Sequence, residues 1–519
     1  LSNTTNKKKI AQLIIARLDS KDINKKFKYY QSLVKNGVAG FIVFGGRLKE
    51  VSKAIKRLQN IAEIPLFIAS DLEQGLGQQI KGGTLFPPAM AIAQAINPKS
   101  KHDIRLLRKT INIIAQETKA AGINVIFSPV LDVNTNHRNP IICTRAFSDN
   151  PREVAWFGKE FIKGFQRHGL LACAKHFPGH GDTSVDSHRE LPVVKADLKR
   201  LYDVELYPFT QAIKAGVKMI MIGHLKVPVI DQKFPSSLSP KIIQGLLREK
   251  MRFKGLVITD AMNMKAIKFR EEEACLRGIK AGADIILHPS NPEKVIDYLA
   301  SKWEEVEQRI EESYQRVLKA KEGLNRVHGS QFTVHSIGTK SNWDLAYELT
   351  RKSITPSPTP LPRGEGVRGR VNPLVLIIDD DNNKSGTPFV NALKKRYKNL
   401  KTFYVDNNSS PSVLKKISKL RTPMGRRPNS ELIIAVFSKV SAFKGRSGLS
   451  SKLHGILEKA VRTSRYSVLV GFCCPYILRE FHKERAEPTY EVGKVWAVIE
   501  AFSDSELTQK AVGKILCGA

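Results

Sequence analysis

Leu170-Leu171-Ala172-Cys173-Ala174-Lys175-His176-Phe177-Pro178-Gly179-His180-Gly181-Asp182 passes from an apolar run into a titratable loop within a few residues. The run reads as a short buried strand. Pro178, Gly179 and Gly181 keep the loop from being helical. The loop continues to Asp186-Ser187-His188, so residues 175–188 carry three His, two Asp and one Lys. A strand that ends in an ionisable loop is where an α/β protein keeps its chemistry.

Working outward, seven more apolar runs repeat the pattern. They are Leu13–Ala16, Gly40–Phe44, Leu66–Ala69, Val125–Phe127, Met219–Ile222, Leu256–Thr259 and Ile285–Leu287. Continuous apolar runs suit strands buried on both faces, as in a parallel sheet. Helical patterns lie between them, for example Arg152 to Arg167 and Asp197 to Ala215. Eight β/α units in about 325 residues predict a TIM barrel; a doubly wound sheet is the competing fold. The residues after the runs favour the barrel. They are Ser70-Asp71-Leu72-Glu73, Ser128 to Asp132, Lys175-His176, Gly223-His224, Asp260 and His288. In a barrel these ends converge on one mouth.

The chain has 519 residues, too many for one ordinary core. Residues 1–326 are expected to form the barrel domain, closed by a charged helix from Glu304 to Arg326. Residues 327–371 are a linker holding a Pro/Gly/Arg-rich probable insert from Thr355 to Arg370, expected to be disordered or extended because it cannot build a core. Residues 372–519 alternate again, through Leu374–Ile378, Leu432–Phe437 and Val468–Phe472, and predict a smaller α/β domain.

Composition is globular, 42% hydrophobic and 26% charged. No apolar run is long enough to span a membrane. The start, Leu1 to Lys9, has no long apolar segment, so no signal peptide is read there. The expected compartment is the cytoplasm, or outside it if a leader precedes Leu1. The six Cys lack CxxC spacing and read as buried free thiols. Net charge is +35, but the Lys residues are scattered over helices, with no aromatic-interleaved basic patch. A solvated basic surface is the expectation, with no nucleic-acid partner.

Cleaving a glycosidic bond needs two groups flanking the anomeric carbon. Asp260, ending a run between Thr259 and Ala261, is a candidate nucleophile; it could equally cap the following helix. In Asp186-Ser187-His188 a carboxylate two residues from an imidazole can fold back to hold its tautomer, which makes His188 a candidate acid/base. Surface loop residues are the other reading. No HExxH pattern supports zinc at His176, His180 and His188, and Lys175 disfavours a cation there.

These segments resemble family 3 glycoside hydrolases, in particular the NagZ-type β-N-acetylglucosaminidases. The resemblance rests on Lys175 to His188 and Ile258 to Met264. It continues at Asn139 to Phe147 and Gly82 to Met90, spans roughly residues 10 to 325, and extends more weakly to Cys474 to Leu478. It implies a nucleophile at Asp260 and an acid/base at His188 partnered by Asp186. It also implies sugar contacts from Asp71, Arg145, Lys175 and His176, with no cofactor and no metal. One position departs from the family pattern. Asp71-Leu72-Glu73-Gln74-Gly75-Leu76 has Leu76 where the family commonly has Arg.

The implied activity is that of a retaining exo-β-N-acetylhexosaminidase acting on N-acetylglucosamine-containing glycans, either cell-wall fragments or chitooligosaccharides. A family 3 phosphorylase, a β-glucosidase and an inactive glycan-binding protein are the alternatives. Oligomeric state is not read from the sequence.

Overall fold

The computed structural model describes residues 3–186, 190–325, 336–356, 373–383, 385–409, 432–439, 444, 448–462, 464, 466–482 and 494–517. The chain divides into two compact units, one of residues 1–86 and 98–346, the other of 87–97 and 347–519. The division differs from bounds of 1–326, 327–371 and 372–519. The helix Lys340–Ser353 lies inside the expected linker, and a short stretch near residue 90 belongs with the second unit.

All eight expected strands are present in the first unit. They are β1 (Ile14–Asp19), β2 (Gly40–Phe44), β3 (Phe67–Ser70), β4 (Val125–Ile126), β5 (Leu171–Phe177), β6 (Met219–Ile222), β7 (Leu256–Thr259) and β8 (Ile286–Leu287). Each pairs in parallel with its sequence neighbour from β1 to β7. β8 returns to β1 through Ile14↔Ile286 and Ile15↔Leu287. Thr259 N–H donating to Ile285 O at 3.0 Å joins β7 to the start of β8, and the barrel closes.

Side chains on a strand alternate between faces, so the core residues define which positions point inward. Ile15, Ile42, Ala69, Cys173, Met221 and Ile258 belong to one apolar cluster inside the barrel. Two residues further along come Arg17, Phe44, Asp71, Lys175 and Asp260. The parity that fills the core therefore aims these side chains into the mouth at the C-terminal end. At the other end, Lys321 of the helix Trp303–Asn325 donates to Gln12 Oε1 and Ala39 O at 2.7 and 2.8 Å.

The helices follow local chemistry. Pro151–Arg167 starts at Asn150, whose side chain accepts from Arg152 N–H, and has Pro151 in its first turn. It buries Val154, Phe157, Phe161 and Phe165 along one stripe, and Phe157 stacks on Phe147 at 5.1 Å. The pattern from Asp197 to Ala215 is not one helix. A turn at Leu198–Arg200 widens into a π-turn at Leu201–Glu205 before the helix Tyr207–Lys214. Pro208 has no N–H to bond the carbonyl four residues back, which accounts for the interruption.

The second unit is a six-stranded sheet ordered β11-β10-β12-β13-β14-β9. The parallel strands are β10 (Leu374–Asp379), β11 (Lys401–Asp406), β12 (Leu432–Ser438), β13 (Tyr466–Cys473) and β14 (Lys494–Glu500). β9 (Thr355–Pro356) pairs antiparallel with β14. The first two residues of the expected insert thus join a sheet; 357–370 lie outside the described residues. Val375, Phe437, Val470 and Ile499 form the core with Phe389 and Val512 of two covering helices. Cys143, Cys173, Cys275 and Cys474 are buried free thiols, as expected, whereas the free thiol Cys517 is only partly buried.

Candidate active site

Two of the four expected sugar contacts, Arg145 and Lys175, meet at a carboxylate not assigned a role from the sequence, Glu73, and a third, Asp71, joins them through Lys175. The Glu73 oxygens accept from Arg145 Nε and Nη2, both at 2.9 Å, a bidentate pair. Lys175 Nζ lies 2.7 Å from Glu73 Oε1 and 2.6 Å from Asp71 Oδ1. Glu73 and Lys175 are almost wholly buried, while Asp71 retains 28% of its side-chain exposure. Asp71 and Arg145, which retains 24%, are thus the members of this network open to a ligand.

The charges are mutually enforced. Burial pushes the Glu73 carboxyl up, but Arg145 and Lys175 outweigh it and leave the group well below the ordinary carboxylate range. Burial pulls Lys175 down, and Asp71 and Glu73 more than reverse that, so the ammonium stays charged. Beneath them, burial pushes the Cys173 thiol up; Lys175 opposes this while Asp71 and Asp260 add to it. One point in the barrel core therefore senses Asp71, Lys175 and Asp260 together.

Asp260 follows β7 directly. Its backbone N–H donates to Ile222 O at 2.9 Å, and its Oδ1 accepts from Ala261 N–H at 2.8 Å. His224, fully buried after β6, stands behind it. Nε2 lies 3.1 Å from Ala261 O and Nδ1 2.7 Å from Ser237 Oγ. A carbonyl only accepts, so Nε2 donates to Ala261 O. His224 holds the backbone next to Asp260.

The loop after β5 is tightly packed. The β5–β6 register shifts between Ala174 and Phe177, the stretch that carries Lys175 and His176. Gly179 has φ +135°, and a Cβ at Gly181 would lie 1.8 Å from Val133 O. Only glycine fits that approach. His176 Nδ1 is 2.7 Å from Asp132 Oδ2, and His180 N–H donates to Asp132 Oδ1 at 2.6 Å. His180 Nδ1 is 2.7 Å from Thr183 Oγ1. Burial pulls the His180 ring down to about 4, with Asp132 opposing. Asp186 is buried at the end of the loop, and its carbonyl accepts from Glu190 N–H at 3.1 Å. His188 lies outside the described residues.

Leu76, the departure from the family pattern, is fully buried in the turn Leu76–Gln78 and packs against Gly83. The sequence signal that could have found Glu73 is its spacing. It lies two residues past Asp71, beside the same mouth.

The fold and this cluster define a (β/α)8-barrel protein with a charged polar site at the C-terminal mouth of the barrel. Residues 5–320 match the Glycosyl hydrolase family 3 N terminal domain, and the chain belongs to that family. It is 33% identical over 355 residues to beta-hexosaminidase A of Pseudoalteromonas piscicida, covering 61% of this chain and 59% of the relative. It is 31% identical over 281 residues to a beta-hexosaminidase of Nitrosomonas eutropha, covering 51% and 78%. The chain spans under two thirds of the first relatives' length, 59% and 57%. A solved glycoside hydrolase family 3 beta-N-acetylglucosaminidase from Paenibacillus sp. str. FPU-7 superposes with a TM-score of 0.81 at 27% identity, covering 99% of this chain and 96% of that one.

Proposed function

We propose that the chain is a retaining exo-β-N-acetylhexosaminidase that releases terminal N-acetylglucosamine. The observation that carries this reading is the inward-facing layer of Asp71, Lys175 and Asp260 directly above the barrel core. The beta-hexosaminidase and beta-N-acetylglucosaminidase relatives support it.

In this reading Asp71, Lys175, Arg145 and His176 bind sugar hydroxyls, with Glu73 holding the Lys175 and Arg145 cations in register. An Asp260 oxygen attacks the anomeric carbon and forms the C1–O ester bond as the bond to the leaving oxygen breaks. His188 gives its proton to that oxygen. Water then attacks C1, His188 takes a water proton, and the Asp260 carboxylate is released. Two inversions give net retention. Cell-wall fragments and chitooligosaccharides are the proposed natural substrates.

The deciding experiment is nitrophenol release from the aryl N-acetyl-β-glucosaminide and from the aryl β-glucoside, each with and without phosphate. Preference for the first substrate, with N-acetylglucosamine as product in either buffer, is the expected result. Sugar phosphate as product would make the chain a phosphorylase, and preference for the glucoside would make it a β-glucosidase. No turnover of either would favour a binding protein.

A further inference from the structure

Asp132 carries no role in the proposed reaction, yet it is the most heavily used acceptor near the mouth. It lies beyond β4 and is fully buried. One oxygen, Oδ2, sits 2.7 Å from His176 Nδ1; the other accepts from His180 N–H at 2.6 Å. Both oxygens also lie 3.3 Å from His176 N–H. The segment that carries it is pinned to β5, because Leu131 N–H donates to Lys175 O at 2.7 Å. The carboxylate is therefore fixed from two sides.

Burial raises the Asp132 carboxyl, but its pairing with the His176 ring and the hydrogen bonds it accepts from that ring and from His180 N–H bring it below its ordinary value, so it stays ionised. An ionised carboxylate only accepts hydrogen bonds. The imidazole nitrogen facing it must carry a proton, and the second ring nitrogen is left for whatever enters the mouth.

We propose that Asp132 is a positioning residue for the reaction, fixing the ring proton of His176 on Nδ1 so that Nε2 meets the bound sugar as a lone-pair acceptor in the neutral ring. The inference deepens the proposed function and rests on it, because it takes His176 as a sugar contact. An imidazole of fixed tautomer reads a hydroxyl as a donor. The ring of the opposite tautomer would offer an N–H instead and misread the same hydroxyl. The other Asp132 oxygen ties the root of the 178–186 loop to the same carboxylate, so sugar reading and loop placement share one anchor.

Asp132→Asn isolates the tautomer. Its Oδ1 can still accept from His180 N–H, while its amide NH2 faces His176 Nδ1 as a donor and moves the ring proton to Nε2. Kinetics on the aryl N-acetyl-β-glucosaminide are compared for Asp132→Asn, His176→Asn and the double variant. Each single variant is expected to lower kcat/KM about tenfold or more, chiefly through KM. The double variant should be no worse than His176→Asn alone, since Asp132 acts through His176. Losses that multiply would overturn the proposal and leave Asp132 with a structural role only.

Nitrogen-15 NMR of the histidine rings in wild-type protein gives a second reading that needs no Asp132 variant to fold. The His176 signal, identified by its loss in His176→Asn, should show the proton on Nδ1 and a bare Nε2 near neutral pH. A bare Nδ1, or a doubly protonated ring, overturns the proposal. Failure of the wild type to cleave any N-acetylglucosaminide would count against the reaction, while the NMR result would still decide the tautomer.

Discussion

Glu73 grips the Arg145 guanidinium edge-on, its two carboxylate oxygens each 2.9 Å from a separate guanidinium nitrogen. The same carboxylate takes Lys175 at 2.7 Å. One buried anion thus fixes two cations that come from the loop after β4 and from β5. Removing its charge leaves both cations near a site from which water is largely excluded. Glu73→Gln should destabilise the protein by about 3 kcal/mol or more, as expected for breaking a buried ion pair. The folded-state carboxyl titrates below its unfolded value, so its stabilisation is fully present above the ordinary carboxylate range. It is lost as pH falls below about 4. Chemical unfolding of wild type and variant should differ most at neutral pH, and the gap should close in acid. A gap that widens in acid contradicts the ionisation argument.

Asp260→Asn keeps the size of the side chain and removes its charge. Turnover of the aryl N-acetylglucosaminide should fall at least about a hundredfold, with folding unchanged by circular dichroism. A folded variant that kept more than about a tenth of wild-type turnover would remove Asp260 from the nucleophile's role.

His188→Ala should harm substrates with poor leaving groups far more than nitrophenyl glycosides, since nitrophenolate departs with little need of a proton. Asp186→Ala should give a milder form of the same pattern. The check is the ratio of kcat/KM between chitobiose and the nitrophenyl substrate. If both substrates suffer equally, His188 binds rather than transfers protons.

Stability should also depend on pH through two histidines. His180 and His288 both titrate at about 4 in the folded chain, against about 6.5 for an exposed ring. Burial is the main cause in each, and Arg17 adds to it at His288. Between those values the unfolded chain binds more protons than the folded one. Stability is therefore greatest above about pH 6.5 and falls toward pH 4, by about 1.4 kcal/mol per pH unit per group where the two states differ fully. His288→Asn should reduce that slope in denaturant titrations between pH 7 and 5. An unchanged slope would mean that His288 takes up no proton on unfolding.

The barrel was legible because its strands are buried on both faces. Runs such as Met219–Ile222 need no alternation to be recognised, and in several of them, such as those ending at Asp71, Lys175 and Asp260, parity aims a polar residue at the mouth. Asp71, Lys175 and Asp260 could be read for that reason. The place of Glu73 beside Asp71 was readable, but its partners were not, because they stand 72 and 102 positions away in sequence and only the closed barrel brings them to it. The π-turn at Leu201–Glu205 was hidden within a continuous helical pattern, with Pro208 its only local signal. The stretch 87–97 gave no sign of its partners. The helix Ala89–Ala95 is seven residues long and buries five of them, so its pattern shows no preferred face.

That short helix carries a consequence for how the polypeptide is made. Met90 and Ala91 pack on Phe502, and the Tyr476 hydroxyl reaches Met90 Sδ at 3.8 Å. Tyr476 emerges from the ribosome 386 residues after Met90, and Phe502 later still. Until then Met90 and Ala91 lack these neighbours. The second unit cannot be expressed whole from any single contiguous stretch beginning after the barrel. A fragment that ends near residue 346 would carry the Ala89–Ala95 helix without the residues that cover Met90 and Ala91, a ready surface for chaperones or for aggregation.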